Sequence, residues 1–160
     1  MNIRFFPASF FALAALIFTL TGFAVPAQAE DRLKTLLEQT GLKYSALDMP
    51  DAWKIAYDGD DGKTVTEYLT YSNDRKEYAL MFVTVVDRED NYAFSYAALK
   101  EALKLSNDDV GVKFVLDEKH GDIDCQSEVY LGTATPESLK RALDAVASTA
   151  MKESTNLNGL

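Results

Sequence analysis

The 160-residue chain has one cysteine, one histidine and one tryptophan, and these shortages remove whole classes of chemistry. With Cys125 alone, no internal disulfide can form. A zinc site takes several His or Cys ligands, which His120 and Cys125 do not supply. His120 lies between Lys119 and Gly121 in a predicted turn, whereas a general base needs an orienting carboxylate and a nucleophile held on rigid elements. Asp122 is the nearest carboxylate in sequence, and the turn position argues for a solvated ring. Glycine-rich phosphate loops, nucleophile elbows and dinucleotide fingerprints are also missing. No catalytic residue, metal or cofactor is therefore expected. Positive charge is in deficit as well: 16 Lys and Arg face 25 Asp and Glu, a formal net charge of −9. Such a surface repels phosphate backbones and anionic lipid headgroups, which disfavours nucleic acid and membrane surfaces as partners.

What the chain does have begins with its longest hydrophobic run. Met1 to Arg4 is short and weakly basic, and Phe5 to Val25 is almost free of polar side chains. Ala27-Gln28-Ala29 then supplies the small-x-small pattern cut by a signal peptidase, and charge returns at Glu30, Asp31 and Arg32. This layout predicts a signal peptide over 1–29, cleaved near Ala29, and a periplasmic or secreted protein. The run approaches the ~20 residues that span a bilayer, so retention as an anchor is the alternative. Pro7, the break at Thr19 to Gly22 and Pro26 favour cleavage, and no cysteine stands at the cut to carry a lipid. Arg4 is the only charged residue in 1–29, so its loss makes the remainder still more acidic. Residues 30–152 suit one domain, with 153–160 as a polar tail expected to fray.

Asp31 to Thr40 reads as a short helix with Leu33, Leu36 and Leu37 on one stripe and Gly41 as its left-handed stop. Leu42, Tyr44 and Leu47 form an extended lead-in ended by Pro50. Trp53, Ile55 and Tyr57 alternate with Lys54, Ala56 and Asp58, which is a strand, and Thr64 to Tyr71 is a second. Tyr78 to Val86 is a third, apolar on both faces: Leu80, Phe82 and Val86 on one, Met81, Val83 and Val85 on the other. Short turns join these three into an antiparallel meander. A helix follows from about Ala93 to Leu105, with Tyr92, Tyr96, Leu99 and Leu103 as its apolar stripe. Val112, Phe114 and Leu116 mark the fourth strand, and Ile123 to Leu131 the fifth. Cys125 shares a face there with Ile123, Val129 and Leu131, as a small core residue would. Thr135, Pro136 and Glu137 open the last helix, buried along Leu139, Ala142, Leu143, Val146 and Ala150. The order α-β-β-β-α-β-β-α predicts an α+β two-layer sandwich: a five-stranded antiparallel sheet with helices on one face.

Two acidic stretches invite a metal reading. Asp58-Gly59-Asp60-Asp61-Gly62 resembles a calcium loop, but Gly62 stands at the third ligand position and Leu69 where the bidentate Glu belongs. It reads as a solvated hairpin turn. Asp87-Arg88-Glu89-Asp90 is a charged connection with no metal-selecting spacing.

Particular phrases stand at particular places in this order. They are Leu36-Leu37-Glu38-Gln39-Thr40-Gly41-Leu42-Lys43-Tyr44, Trp53-Lys54-Ile55, Ala102-Leu103-Lys104-Leu105-Ser106-Asn107, Lys113-Phe114-Val115-Leu116-Asp117, Gly121-Asp122-Ile123 and Thr135-Pro136-Glu137-Ser138-Leu139. In these the chain resembles the YbjN-like family, whose fold is that of type III secretion chaperones. The resemblance implies that fold over nearly all of residues 30–152, and its motifs are structural rather than catalytic. It also implies work of the kind known for the fold, holding extended segments of other proteins. The export signal departs from the cytoplasmic chaperone pattern, so the resemblance speaks to fold more than to activity.

In a two-layer sandwich one sheet face meets the helices and the other meets water, so the third strand is expected to expose apolar side chains. The open face is expected to carry Met81, Val83 and Val85 together with Tyr68, Val115 and Tyr130. Cover by the N-terminal arm or the tail is the alternative. The function that follows is a non-enzymatic binding module, holding an unidentified protein or peptide, or a second copy as a homodimer, through that face. The rival is a small exported hydrolase using carboxylates alone, although no acid is placed so as to predict a raised pKa.

Overall fold

Leu33, Leu36 and Leu37 recur at helical spacing, and in the computed structural model they are the buried side of α1 (Arg32–Thr40). The structure describes residues 32–59, 62–87, 95–108, 111–117 and 120–160. The expected signal segment 1–29, Asp60 and Asp61, the Arg88-Glu89-Asp90 connection and Tyr92 and Ala93 lie outside the described residues. Gly41 ends α1 at φ +74°, as expected, while the Thr40 hydroxyl donates to the Leu37 carbonyl and accepts from the Leu42 N–H.

Four strands follow: β1 (Tyr44–Ala46), β2 (Trp53–Asp58), β3 (Thr64–Tyr71) and β4 (Tyr78–Val86). Then come α2 (Tyr96–Asp108), β5 (Lys113–Asp117), β6 (Asp122–Tyr130) and α3 (Pro136–Asn158). All strand pairs are antiparallel, in one sheet of spatial order β1-β2-β3-β4-β6-β5. The α+β class holds, but the sheet has six strands rather than five, and the order is α-β-β-β-β-α-β-β-α. The addition is β1, expected only as a lead-in. Three residues are too few for alternation to announce a strand, and pairing of Tyr44 with Ile55 and Ala46 with Trp53 is what makes it one.

The helices bury one face of this sheet. α3 crosses β3, β4 and β6, with α1 packed against α3 and α2 against β5. Ile55, Leu69, Met81 and Ile123 from the strands meet Leu37, Leu139, Leu143 and Val146 from the helices. Cys125 is fully buried among them, its thiol donating to the Val146 carbonyl at 3.7 Å.

Three expectations fail here, each for a physical reason. Met81, Val83 and Val85 do not face solvent; they lie under the helices, Val83 only 3% exposed. A strand alternates with period two, so choosing the wrong parity exchanges the two faces of β4 completely. The parity that faces out is Leu80, Phe82 and Thr84, which carries the strand's polar side chain. A bulge between Thr84 and Val86 then puts Val85 and Val86 both in the core. On α2 the expected stripe does not all turn inward: Leu99 is half-buried, but Tyr96 and Leu103 face out. Tyr96 is 81% and Leu103 71% exposed, and the helix packs through Ala98 and Ala102, whose small side chains let it close on its neighbours. Its first turn is held by Ser95, whose hydroxyl accepts from Ala98 N–H.

The third concerns the end of the chain. α3 starts at the expected Thr135 cap, in a reciprocal box with Ser138, but stays helical past Lys152. It runs to Asn158, with Leu157 fully buried. The bulge leaves the Val85 carbonyl out of the β4–β6 ladder, and the Asn158 side-chain amide donates to it at 2.6 Å. The polar tail is thus a structural part of α3.

Candidate binding face

The same alternation that buries Trp53, Ile55, Leu69 and Met81 turns a second set of side chains away from the helices. Across the middle of the open face, Lys54 opposes Tyr68, Tyr68 opposes Phe82, Phe82 opposes Gln126 and Gln126 opposes Lys113. The Tyr68 and Phe82 rings stack at 5.3 Å between centroids. One end of the face carries Leu80 opposite Glu128 and Tyr78 opposite Tyr130, the two tyrosine rings 5.2 Å apart. Tyr130 is 49% exposed, and its ring lies where a Cβ on residue 132 would sit, a space that Gly132 leaves open.

The structure therefore brings together Tyr68, Val115 and Tyr130 of the expected face and excludes Met81, Val83 and Val85. It adds Tyr78, Leu80 and Phe82, which the inverted parity of β4 had hidden. No described helix covers these side chains.

On the helix side lies a residue that strand propensity alone did not reveal. Glu67 follows Val65 and precedes Leu69 on the inward parity of β3, opposite Ile55, and has no solvent exposure. Neither carboxyl oxygen has a partner in hydrogen-bonding geometry. Burial first, and then the negative charge of Asp144, push its pKa up from 4.5 to about 9; the Tyr57 hydroxyl pulls the other way. Glu67 is therefore a neutral acid at pH 7. Burial and the same two carboxylates push the Tyr57 phenol upward as well. Tyr57 and Asp144 line a groove of about 500 Å³ between the β2–β3 hairpin and α3. Glu67 is sealed from that groove, and Asp144 is engaged by Lys140 at 2.6 Å, so the carboxylates do not form the paired acid and base of a hydrolase. The signal was legible in retrospect as an acid in an otherwise apolar Val65-x-Glu67-x-Leu69 row.

His120 is exposed, its Nδ1 2.7 Å from Asp117 rather than from Asp122. Asp58 accepts from the Thr64 hydroxyl at 3.0 Å. Among the described residues no cluster of three or more His, Cys, Asp or Glu is arranged to hold a metal ion.

No family model and no curated protein matches the chain. Solved structures do. A chain of the HopA1–SchA chaperone–effector complex aligns with TM-score 0.56 and 18% identity, over 78% of this chain and 94% of that one. A chain of the ExsC–ExsE complex aligns with TM-score 0.56 and 16% identity, over 80% and 95%. The Yersinia pestis type III secretion chaperone SycH in complex with a YscM2 fragment gives 0.49 and 12% over 78% and 98%. On the first two, this chain has a chaperone-like α+β fold.

Proposed function

We propose that the chain is an exported, non-enzymatic binding module of the YbjN-like kind, which holds an extended segment of another protein against its open sheet face. The observation that carries this reading is the row of Tyr68, Phe82, Leu80, Tyr78 and Tyr130, which no described helix covers. Contiguous apolar surface of this sort marks interaction sites on soluble proteins. The chaperone-like fold supports it, since one of the similar structures is a chaperone with its effector. Export is supported by the hydrophobic run and the Ala27-Gln28-Ala29 pattern.

A second copy suits the face less well, because each chain brings a net charge of −9. The test is a photo-cross-linking amino acid placed at Phe82 and, as control, at exposed Ser148 on α3. Position 82 should give a discrete protein adduct whose mass is not twice that of the chain, and position 148 should not. Equal labelling at both positions, or none, removes the open face as a binding site. An adduct of twice the chain's mass replaces the partner with a homodimer.

A further inference from the structure

The open face is chemically divided along its strands. Tyr78, Leu80, Tyr130 and the Tyr68–Phe82 stack, with Lys54, Lys113 and Glu128 among them, occupy the middle and one end. Aspartates occupy the other. Asp58 closes β2 there, opposite Thr64, and Asp117 and Asp122 oppose each other across β5 and β6. Asp124 accepts from the Thr84 hydroxyl at 2.8 Å. Asp87 and Asp122 line a hollow of about 310 Å³ whose other walls include Thr66, Tyr68 and Thr84, so acid and aromatic side chains share one concavity. The acids feel one another: burial raises the Asp124 pKa, and the charges of Asp117 and Asp122 raise it further.

From this division, and resting on the reading of the face as protein-binding, we infer that the segment it holds is cationic. Apolar side chains of the segment lie on Phe82 and Tyr130, and a lysine or arginine enters the hollow beside Asp122 and Asp87. An arginine fork supplies several donors to carboxylates gathered at one end of the face. Tyr78 and Val86 mark the two ends of β4, on the order of 25 Å apart at the rise of a strand, so about eight extended residues span both regions. The remaining occupants fit worse. Nucleic acid and anionic lipid would bring more negative charge to the aspartates, and a second copy would bring the same ones.

The test uses the full chain and two fluorescein-labelled ten-residue peptides of alternating Leu and Ser, one with Arg at each end and one with Glu. Arg at both ends makes the result independent of the peptide's direction. By anisotropy, the Arg peptide should bind at least about tenfold more tightly than the Glu peptide, and the gap should shrink as salt shortens the Debye length. Asp122→Asn with Asp124→Asn should bring the ratio towards one, and Asp87→Asn, at an exposed position, should reduce it in a fold left unchanged by circular dichroism. Phe82→Ser should weaken binding of the Arg peptide without changing its preference over Glu. If both peptides bind the native chain equally and Phe82→Ser weakens both, the cationic inference is wrong and the docking face stands. If neither peptide binds, or Phe82→Ser changes nothing, the docking face itself fails. Concentration-dependent dimerisation abolished by Phe82→Ser would give the face to a second copy and overturn the inference.

Discussion

Lysine at position 83 and lysine at position 82 put the same charge on opposite faces of β4. Val83 is buried under α3, so Val83→Lys leaves an ammonium in the core without a partner and should cost about 3 kcal/mol or more. Phe82 faces out, and Phe82→Lys loses the stack on Tyr68, worth about 1 kcal/mol, while its charge stays in water. Urea melts of the two variants check the register directly; equal losses would mean that β4 is covered on both sides. Glu67 gives a sharper reading. Its folded pKa of about 9 stands above the ordinary 4.5, so the folded chain keeps a proton that the unfolded chain releases. Below pH ~4.5 both states hold it, and its contribution to stability is fully present. Between about 4.5 and 9 stability falls by up to about 1.4 kcal/mol per pH unit, and above that the slope vanishes. Glu67→Gln is neutral at every pH and nearly the same shape. It should match the native chain near pH 4 and be the more stable of the two at pH 8. Parallel curves in melts from pH 4 to 9 would show that Glu67 ionises freely.

At the scale of elements, local signals that act within one turn were legible and those that need a partner strand were not. Gly41 and the Thr135-Pro136 cap place the end of α1 and the start of α3 from sequence alone, because each satisfies its own backbone groups. β1 was hidden because Tyr44–Ala46 becomes a strand only by pairing with β2. The open face was half legible: Tyr68, Val115 and Tyr130 stand where expected, but a two-faced apolar run in β4 does not say which parity meets the helices. Thr84 was the clue, and the bulge that moves Val86 into the core concealed it. The tail of α3 misled for a related reason. A sequence of Ser, Thr and Asn reads as solvent-seeking, yet Leu157 fills the core and Asn158 serves the carbonyl of Val85, which the bulge leaves without a partner in the ladder. Leu157→Ala should therefore cost about 2–4 kcal/mol through the cavity it leaves. Asn158→Ala should cost about 1 kcal/mol by leaving the Val85 carbonyl without its donor. Amide hydrogen exchange gives the independent check, since residues 153–157 should be protected as well as the middle of α3. Rapid exchange there, with no loss in Leu157→Ala, would restore the frayed tail.

For the molecule as a whole, the excess of acid sets the response to salt, and that response separates stability from binding. The ion pairs of Lys76 with Asp51, Lys104 with Glu101 and Lys140 with Asp144 have partly exposed side chains. Pairs of this kind contribute little, commonly 0–1 kcal/mol each. Against them stands a formal charge of −9, whose self-repulsion is greatest in the compact state. Sodium chloride screens both, with a Debye length of about 10 Å at 0.1 M that shrinks to about 3 Å at 1 M. The repulsion is spread over the whole surface and should dominate. Stability at pH 7 should rise between low salt and about 0.5 M, by on the order of 1 kcal/mol in urea melts. The difference between Glu67→Gln and the native chain should persist across the same series, because Glu67 is sealed from solvent and its desolvation is not screened. Affinity for a cationic segment should move in the opposite direction, since the aspartates that attract it are screened along with those that repel one another. A fall in stability with salt would mean that ion pairs, rather than the sheet–helix core, hold the fold. A rise in stability accompanied by unchanged peptide affinity would mean that the segment is held by its apolar side chains alone.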